Sequence, residues 1–263
     1  MLARRGTVAL TTLALVALGL SGCASAPPGA TDDGGGGANA NAASINVQLG
    51  VDYLQQGNLA LAQDKLLRAL REDPHSAEVH GALALLDERL GNAREADKEY
   101  LRALHLSHDA PAMLNNYAVY LCSHGRPDEG VHYFEEAAAN PLYRTPWAAY
   151  TNAGVCLQSV HRDAEAMTRF ERAMQSNPGF ADATLDASAL DFAARHYVQA
   201  RVRIDLYLMS YPATPDLLLL GWRIAGAQSD AGGQQRYAAR LHKEFPHSGQ
   251  ERAIELAAMR SSD

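Results

Sequence analysis

Cysteine and basic residues are both scarce in this chain. Only three cysteines occur among 263 residues, too few for a fold held together by disulfides. Lysine and arginine number 23 against 30 aspartate and glutamate residues, which gives a formal net charge of −7. Because nucleic-acid binding needs a basic surface, this balance excludes nucleic acid as the main partner. The apolar fraction of 47% is ordinary for a globular protein, so the chain can bury a core in one or two domains.

The signatures of catalysis are also missing from the sequence. No glycine-rich phosphate loop follows a strand, and no nucleophile elbow is present. Ten histidines are scattered along the chain, and the set that most resembles metal ligands is His105, His108 and Asp109. These residues fall at the predicted end of a helix, where histidine interacts favourably with the helix dipole. We therefore expect no enzymatic activity, no metal, no cofactor and no small-molecule substrate.

Residues 1–22 have the features of a bacterial lipoprotein signal peptide. Arg4 and Arg5 precede an apolar stretch that is too short to span a bilayer comfortably. Residues 20–23 read Leu-Ser-Gly-Cys and resemble a lipobox, whose cysteine is lipidated in the mature chain. The alternative is an ordinary secretory signal with a chance cysteine. The lipobox interpretation gives Cys23 a covalent lipid, and Ala24, in place of a retention aspartate, favours the periplasmic face of the outer membrane.

The composition of residues 23–43 predicts a flexible linker that begins with the lipidated cysteine. After Cys23 this segment contains only alanine, glycine, asparagine, proline, serine, threonine and aspartate, and it includes four consecutive glycines. Such residues cannot build a core. Twenty of them span about 25 Å root-mean-square, so we expect the folded part to be held close to a membrane.

A 34-residue period organises the rest of the chain. Prolines stand at 178, 212 and 246, and Pro74 precedes the first of these by three periods plus two residues. This period is that of the tetratricopeptide repeat, a pair of antiparallel helices. We predict an all-α, right-handed superhelix of about six helical hairpins over residues 44–260, with a capping helix from about Ser248 to Arg260. The repeats lie near residues 43–76, 77–110, 111–144, 147–180, 181–214 and 215–248, and the last two are degenerate.

Small and large residues alternate within each repeat in a way that favours helix pairing. Small residues at repeat positions 8, 20 and 27 let the paired helices approach, and large residues at positions 4, 7, 11 and 24 fill the space between them. In repeat four, for example, Gly154 is at position 8 and Phe170 at position 24. Leu49 occupies position 7 of repeat one, and Ala238 is assigned to position 24 of repeat six.

Two of the three cysteines fall on neighbouring helices of this arrangement. Cys122 is at position 12 of repeat three and Cys156 is at position 10 of repeat four, both on first helices. Export would place them in an oxidising compartment, so a disulfide is one interpretation. The other is a pair of buried free thiols that behave as small hydrophobic groups.

The concave face of such a superhelix is lined by positions 2, 5, 6, 9 and 12 of each first helix. Asn116 and Asn152 both occupy position 6, where asparagine can donate and accept hydrogen bonds to an extended peptide backbone. Val51 and Leu54 suggest an apolar anchor pocket. The alternative is that some of these side chains contact the neighbouring repeat or the linker. The candidate groove residues are Val47, Val51, Leu54, Asn115, Asn116, Val119, Asn152 and Val155.

The most specific sequence block lies in repeats three and four. It comprises Leu-Asn-Asn-Tyr at 114–117, Leu-Cys at 121–122, Gly125, Asn-Pro-Leu-Tyr at 140–143 and Asn-Ala-Gly-Val-Cys at 152–156. The block resembles the type IV pilus biogenesis and stability lipoproteins of the PilF/PilW family. The order of lipobox, short linker, six repeats and terminal helix also matches that family. One departure is Ala118, where the family usually has glycine after Asn-Asn-Tyr.

The resemblance implies that the protein is a pilotin. A pilotin binds the type IV pilus secretin and promotes its outer-membrane localisation and multimerisation, and hence pilus biogenesis and twitching motility. The family also has paired cysteines at the positions of Cys122 and Cys156. Under this interpretation the lipid supplies the membrane address and repeats one to three hold the secretin. The alternative is a lipoprotein scaffold or adaptor for peptidoglycan enzymes or for outer-membrane assembly, which has the same fold and anchor without that block.

Overall fold

The computed structural model describes residues 34–260, which form thirteen α-helices and no strand. Consecutive helices pair into six antiparallel hairpins, and the last helix packs against the sixth hairpin. The predicted tetratricopeptide-repeat superhelix is therefore confirmed. The helices are α1 (Gly34–Gln55), α2 (Leu59–Glu72), α3 (Ala77–Leu90), α4 (Ala93–Ser107), α5 (Pro111–Ser123), α6 (Pro127–Ala139), α7 (Pro146–Ser159), α8 (Asp163–Ser176), α9 (Ala181–Ala193), α10 (Tyr197–Ser210), α11 (Pro215–Ala227), α12 (Ala231–Glu244) and α13 (Gly249–Arg260).

The hairpins close around the predicted small and large residues. Positions 20, 24 and 27 of the second helix are buried in each of the first five repeats, as they are in α8 at Ala166, Phe170 and Ala173. The aromatic or aliphatic residue at position 24 reaches the first helix. The residue at position 20 is alanine or glycine in all five repeats and the one at position 27 is alanine in the first four, and these small residues allow the backbones to approach; in repeat five position 27 is Tyr207. The spacing of small residues therefore sets how closely each hairpin packs.

The turn within each hairpin repeats the same backbone conformation. One residue per turn has a positive φ, between 59° and 77°, in every one of the six hairpins. In the first three repeats that residue is glycine, which adopts this left-handed conformation without a Cβ clash. The six positions are Gly57, Gly91, Gly125, His161, Arg195 and Ser229. The 34-residue period, interrupted only by the two-residue insertion before repeat four, is thus preserved in the backbone as well as in the core.

The first helix begins earlier than the sequence predicted. Helix α1 starts at Gly34, so it includes the last ten residues of the segment assigned to the linker. Ala43, which was placed at the end of that linker, is 2% exposed and belongs to the core of repeats one and two. The alanines at 38, 40, 42 and 43 favour helix, whereas the glycines at 34–37 do not. Burial of Ala43 adds packing energy that composition alone does not reveal. The predicted signal peptide and Cys23 lie outside the described residues.

In repeat six, the second helix buries a different face from the one that the sequence predicted. The sequence placed Ala238 at the packing position of its second helix, but α12 buries Gly233, Tyr237 and Leu241 instead. Tyr237 is the larger side chain, and it packs against Gly221 on α11. The assignment of Ala238 is therefore wrong by one residue, because the hairpin turns its aromatic residue inward.

Candidate functional site

An apolar row runs along the concave positions of the first four repeats. Position 9 is held by Val51, Leu85, Val119 and Val155. Leu85, Val119 and Val155 are 40%, 47% and 46% exposed, and Val51 is half-buried. Leu85 was not among the predicted groove residues, although its repeat position would have identified it. Exposed aliphatic side chains at one repeat position form a surface that can bind apolar side chains of another chain.

This surface includes a cavity between α5 and α7. Its volume is about 450 Å³, and it is open to solvent. Three of its lining residues, Val119, Asn152 and Val155, were predicted from their repeat positions. The cavity is lined by Val119, Cys122, Ser123, Phe134, Asn152, Val155, Cys156 and Ser159. Aliphatic walls with a few hydroxyl and amide groups are typical of a site for a peptide side chain.

The two cysteines of this cavity are joined to each other. A disulfide connects Cys122 on α5 to Cys156 on α7, with their Cα atoms 5.6 Å apart. Of the two interpretations of these cysteines, a disulfide or a pair of free thiols, the structure has the disulfide. The bond fixes the spacing between the first helices of repeats three and four, and therefore the width of the cavity.

The predicted groove asparagines hydrogen-bond to each other. Asn152 Nδ2 donates to Asn115 Oδ1 over 3.1 Å, which links α7 to α5. Asn116, at the next position along α5, is exposed. Each bonded amide still has its second polar atom for a ligand. The pair therefore orients two amides over the groove, and Asn116 adds a third next to them.

Leu54 does not belong to the groove surface. The sequence placed it in an apolar anchor pocket, but it is 4% exposed and packs in the core shared by repeats one and two. Val47 and Val51 are half-buried against the same core. Leu54, at position 12 of repeat one, belongs to a buried cluster that also contains Val79 and Leu83 of α3, so this part of the prediction is wrong. The open cavity with exposed aliphatic walls lies instead between repeats three and four.

A cluster of tyrosines supports the helix that carries Val119. The rings of Tyr100 and Tyr117 lie 5.7 Å apart, and Tyr120 stacks on Tyr117 at 6.0 Å. The hydroxyl of Tyr117 donates to Asp97 over 2.9 Å, and Arg126 also donates to that carboxylate over 2.8 Å. Burial and the nearby carboxylate raise the pKa of Tyr117 well above its usual value, so its hydroxyl stays protonated and donating.

Acidic character appears on the concave side at repeat five. Asp186 occupies position 6, where repeats three and four have Asn116 and Asn152. Burial, together with the charge of Asp182, raises the pKa of Asp186 to about 6. The amide positions of the middle repeats are thus followed by a carboxylate that ionises near neutral pH.

Metal ligands do not gather in the described part of the chain. No group of three or more histidine, cysteine, aspartate or glutamate side chains there could hold an ion. His105, His108 and Asp109 instead border a surface cavity at the end of α4. Among the helices within residues 34–260, none is long and apolar enough to cross a bilayer.

The six hairpins and their concave apolar groove define a tetratricopeptide-repeat protein, a class that acts by binding other proteins. No protein-family model matches the chain. The type IV pilus assembly protein PilF of Pseudomonas aeruginosa is 31% identical over 245 residues, which cover 92% of this chain and 96% of that protein. An uncharacterized protein of Haemophilus influenzae is 33% identical over 121 residues, 46% of this chain and 68% of that one.

Solved structures give the same relationship. The structure from a functional characterization of Pseudomonas aeruginosa pilF has a TM-score of 0.62 at 30% identity, over 84% of this chain and 99% of that chain. The structure of PilW, a widely conserved type IV pilus biogenesis factor, has a TM-score of 0.62 at 27% identity, over 81% and 97%. The chain therefore belongs to the PilF/PilW family of type IV pilus biogenesis factors, as the sequence block in repeats three and four predicted.

Proposed function

We propose that this protein is a lipid-anchored pilotin on the periplasmic face of the outer membrane. In this role it binds the type IV pilus secretin and promotes the localisation and multimerisation of that protein. It acts by binding alone, without catalysis and without a cofactor beyond the lipid on Cys23. Membership of a pilus biogenesis family and the lipobox-like segment support the proposal.

The observation that carries the proposal is the concave groove at repeats three and four. Val119 and Val155 expose aliphatic side chains on either side of a cavity of about 450 Å³. The amides of Asn115 and Asn152 lie on the same helices and can hydrogen-bond to the backbone of an extended segment. A secretin segment with one large apolar side chain fits this chemistry, since that side chain fills the cavity and its backbone meets the amides.

The groove is tested with the double variant Val119→Asp/Val155→Asp. Both side chains are nearly half exposed, so the charges disturb the groove without entering the core. We expect detergent-resistant secretin multimers in membrane fractions to fall at least tenfold. The matched control is Leu101→Asp, an equally exposed apolar residue at 45% on the second helix of repeat two. Unchanged multimers in the double variant, at normal protein levels, would contradict secretin binding by this groove.

The anchor is tested separately with Cys23→Ser. We expect this variant to lose incorporation of a fatty-acid analogue and the secretin to multimerise away from the outer membrane. Persistent labelling would refute lipidation at Cys23. Normal secretin localisation in an unlabelled variant would refute the role of the anchor. If neither variant affects the secretin while peptidoglycan enzymes lose their localisation, the scaffold alternative replaces the pilotin proposal.

A further inference from the structure

Helix α10 has an apolar stripe on its solvent-facing side. Val198, Val202, Leu206 and Met209 are 64%, 50%, 61% and 81% exposed. Their spacing places them on one face of the helix, over a length of about 16 Å. The opposite face of α10 is buried in the core of repeats five and six. Helix α10 is therefore apolar on two sides, and only one of them has a partner in the described residues.

The stripe is specific to repeat five. It occupies repeat positions 18, 22, 26 and 29, and the buried positions 20, 24 and 27 fix that register in the first five repeats. Repeats one to four have no large apolar side chain at those four positions. Their residues there are Ala60, Asp64, Arg68 and Arg71, then Arg94, Lys98, Arg102 and His105, then Asp128, His132, Glu136 and Ala139, then Ala164, Thr168, Arg172 and Gln175. Folding of a repeat thus does not require an apolar stripe here, and a contiguous exposed stripe is typical of an interaction surface.

Cavities border the stripe along its length. One of about 380 Å³ lies beside Val198 and Val202, and another of about 270 Å³ lies between Leu206 and Met174 of α8. A third, of about 310 Å³, lies between Met209 and α12. Separate depressions around a ridge accept separate side chains, which is how a groove binds an amphipathic helix. A bilayer surface has no such discrete side chains.

The edge of the stripe formed by α12 is cationic. Arg236 lines the cavity next to Met209 and is 68% exposed, with only a 3.8 Å contact to Asp230. Arg240 lines the same cavity, as does the carboxylate of Asp205. Arg240 is paired with Glu244 over 2.8 Å, and the exposed Lys243 lies beside this pair on α12. A ligand that covers the stripe and extends toward α12 therefore meets positive charge on that side.

We propose that this surface binds an amphipathic helix of a partner protein, with an apolar row over Val202, Leu206 and Met209 and acidic side chains facing Arg236 and Lys243. The length of the stripe matches about three turns of such a helix. The carboxylates of Asp205 and Glu244 lie on the same surface and oppose a continuous anionic bilayer. A helix, in contrast, can place single acidic side chains next to Arg236 and Lys243 and none next to those carboxylates. The site is on a second helix of repeat five, so it is independent of the concave groove and of the pilotin proposal.

The probe is a synthetic 18-residue amphipathic helix with a leucine face and glutamates along one flank. Its twin has lysines in place of those glutamates. We expect the purified full-length protein to bind the glutamate peptide at least tenfold more tightly than its twin, measured by fluorescence anisotropy at low salt. Val202→Asp/Leu206→Asp removes this binding. Arg236→Glu/Lys243→Glu reverses the preference toward the lysine peptide and leaves the Arg240–Glu244 pair intact.

The matched control is Thr168→Asp/Arg172→Asp, at the same two repeat positions of α8, and it leaves binding unchanged. Far-UV circular dichroism verifies that each variant is folded. Equal affinity for both peptides, or binding that survives Val202→Asp/Leu206→Asp, overturns the proposal. Flotation with phosphatidylglycerol vesicles that depends on Val202, without peptide binding, assigns the stripe to a bilayer and also overturns it. So does a dimer, measured by light scattering, that Val202→Asp/Leu206→Asp converts to a monomer.

Discussion

The backbone of Gly154 on α7 packs directly against the ring of Phe170 on α8. Both residues are fully buried, and a Cβ on the glycine would overlap the ring. The pair occupies positions 8 and 24 of repeat four, and Gly50 meets Leu66 in the same way in repeat one. This relationship makes the small residue at position 8 a steric requirement of the hairpin.

Gly154→Val is expected to lower the free energy of unfolding by about 1–3 kcal/mol, because an overpacked core must shift Phe170 or the backbone. Urea unfolding followed by circular dichroism measures the loss. Gly249→Val is the control, since nothing lies within 4 Å of a Cβ at the start of α13. If both substitutions have the same effect, the close approach at Phe170 is not what position 8 provides.

Replacing both Cys122 and Cys156 with alanine is expected to lower the free energy of unfolding by about 3–4 kcal/mol. The disulfide joins residues 34 apart in sequence, and a closed loop of about this length restricts the unfolded chain by that amount. Dithiothreitol should lower the stability of the wild type to that of the double variant. A reductant effect on the double variant itself would show that the loss comes from elsewhere.

Asp186→Asn is expected to stabilise the protein by about 1 kcal/mol at about pH 7 and to have little effect at about pH 4. Burial raises the pKa of Asp186 to about 6, above the usual carboxyl value, so the folded state retains this proton where the unfolded state releases it. The stability contributed by the group therefore falls as pH rises from about 4 to 6, and partial exposure reduces the effect. Urea unfolding at both pH values measures it. The same gain at both pH values would exclude ionisation as its cause.

Leu54→Ala is expected to lower the free energy of unfolding by about 2–5 kcal/mol, because it leaves a cavity in the core between repeats one and two. Val119→Ala, in the exposed groove, should change it by about 0.5 kcal/mol or less. Thermal or urea unfolding of the two variants distinguishes a core residue from a groove residue. Equal losses would place both side chains in the same kind of environment and refute the assignment.

The period and the packing residues of the middle repeats could be predicted from sequence because each repeat contains its own helix pair. Burial at position 7, in contrast, depends on the neighbouring repeat and cannot be predicted from one repeat alone. Tyr117 is buried at this position because it packs against Tyr100 of the preceding repeat. Leu49 is at the same position of repeat one and is 39% exposed, since the described residues contain no earlier repeat for it to contact.

The groove could be predicted in part, for a related reason. The three groove residues of the cavity follow from their repeat positions, whereas the sequence left the disulfide as one of two interpretations. The burial of Leu54 depends on its reaching α3, and the inward rotation of Tyr237 depends on Gly221 of the facing helix. Both are contacts between elements, which the position of a residue within its own repeat does not specify. The sequence also did not reveal the apolar stripe of α10, because its residues are exposed and do not occupy the packing positions of the repeat.

The disulfide between repeats three and four has a consequence for how the molecule comes apart. Each hairpin contacts only the hairpins next to it, so the terminal hairpins can unfold before the central ones. The covalent bond lies at the midpoint of the six repeats, which opening from either end reaches last. The two helices that carry the walls of the cavity, α5 and α7, therefore stay joined to each other whichever end of the stack opens first.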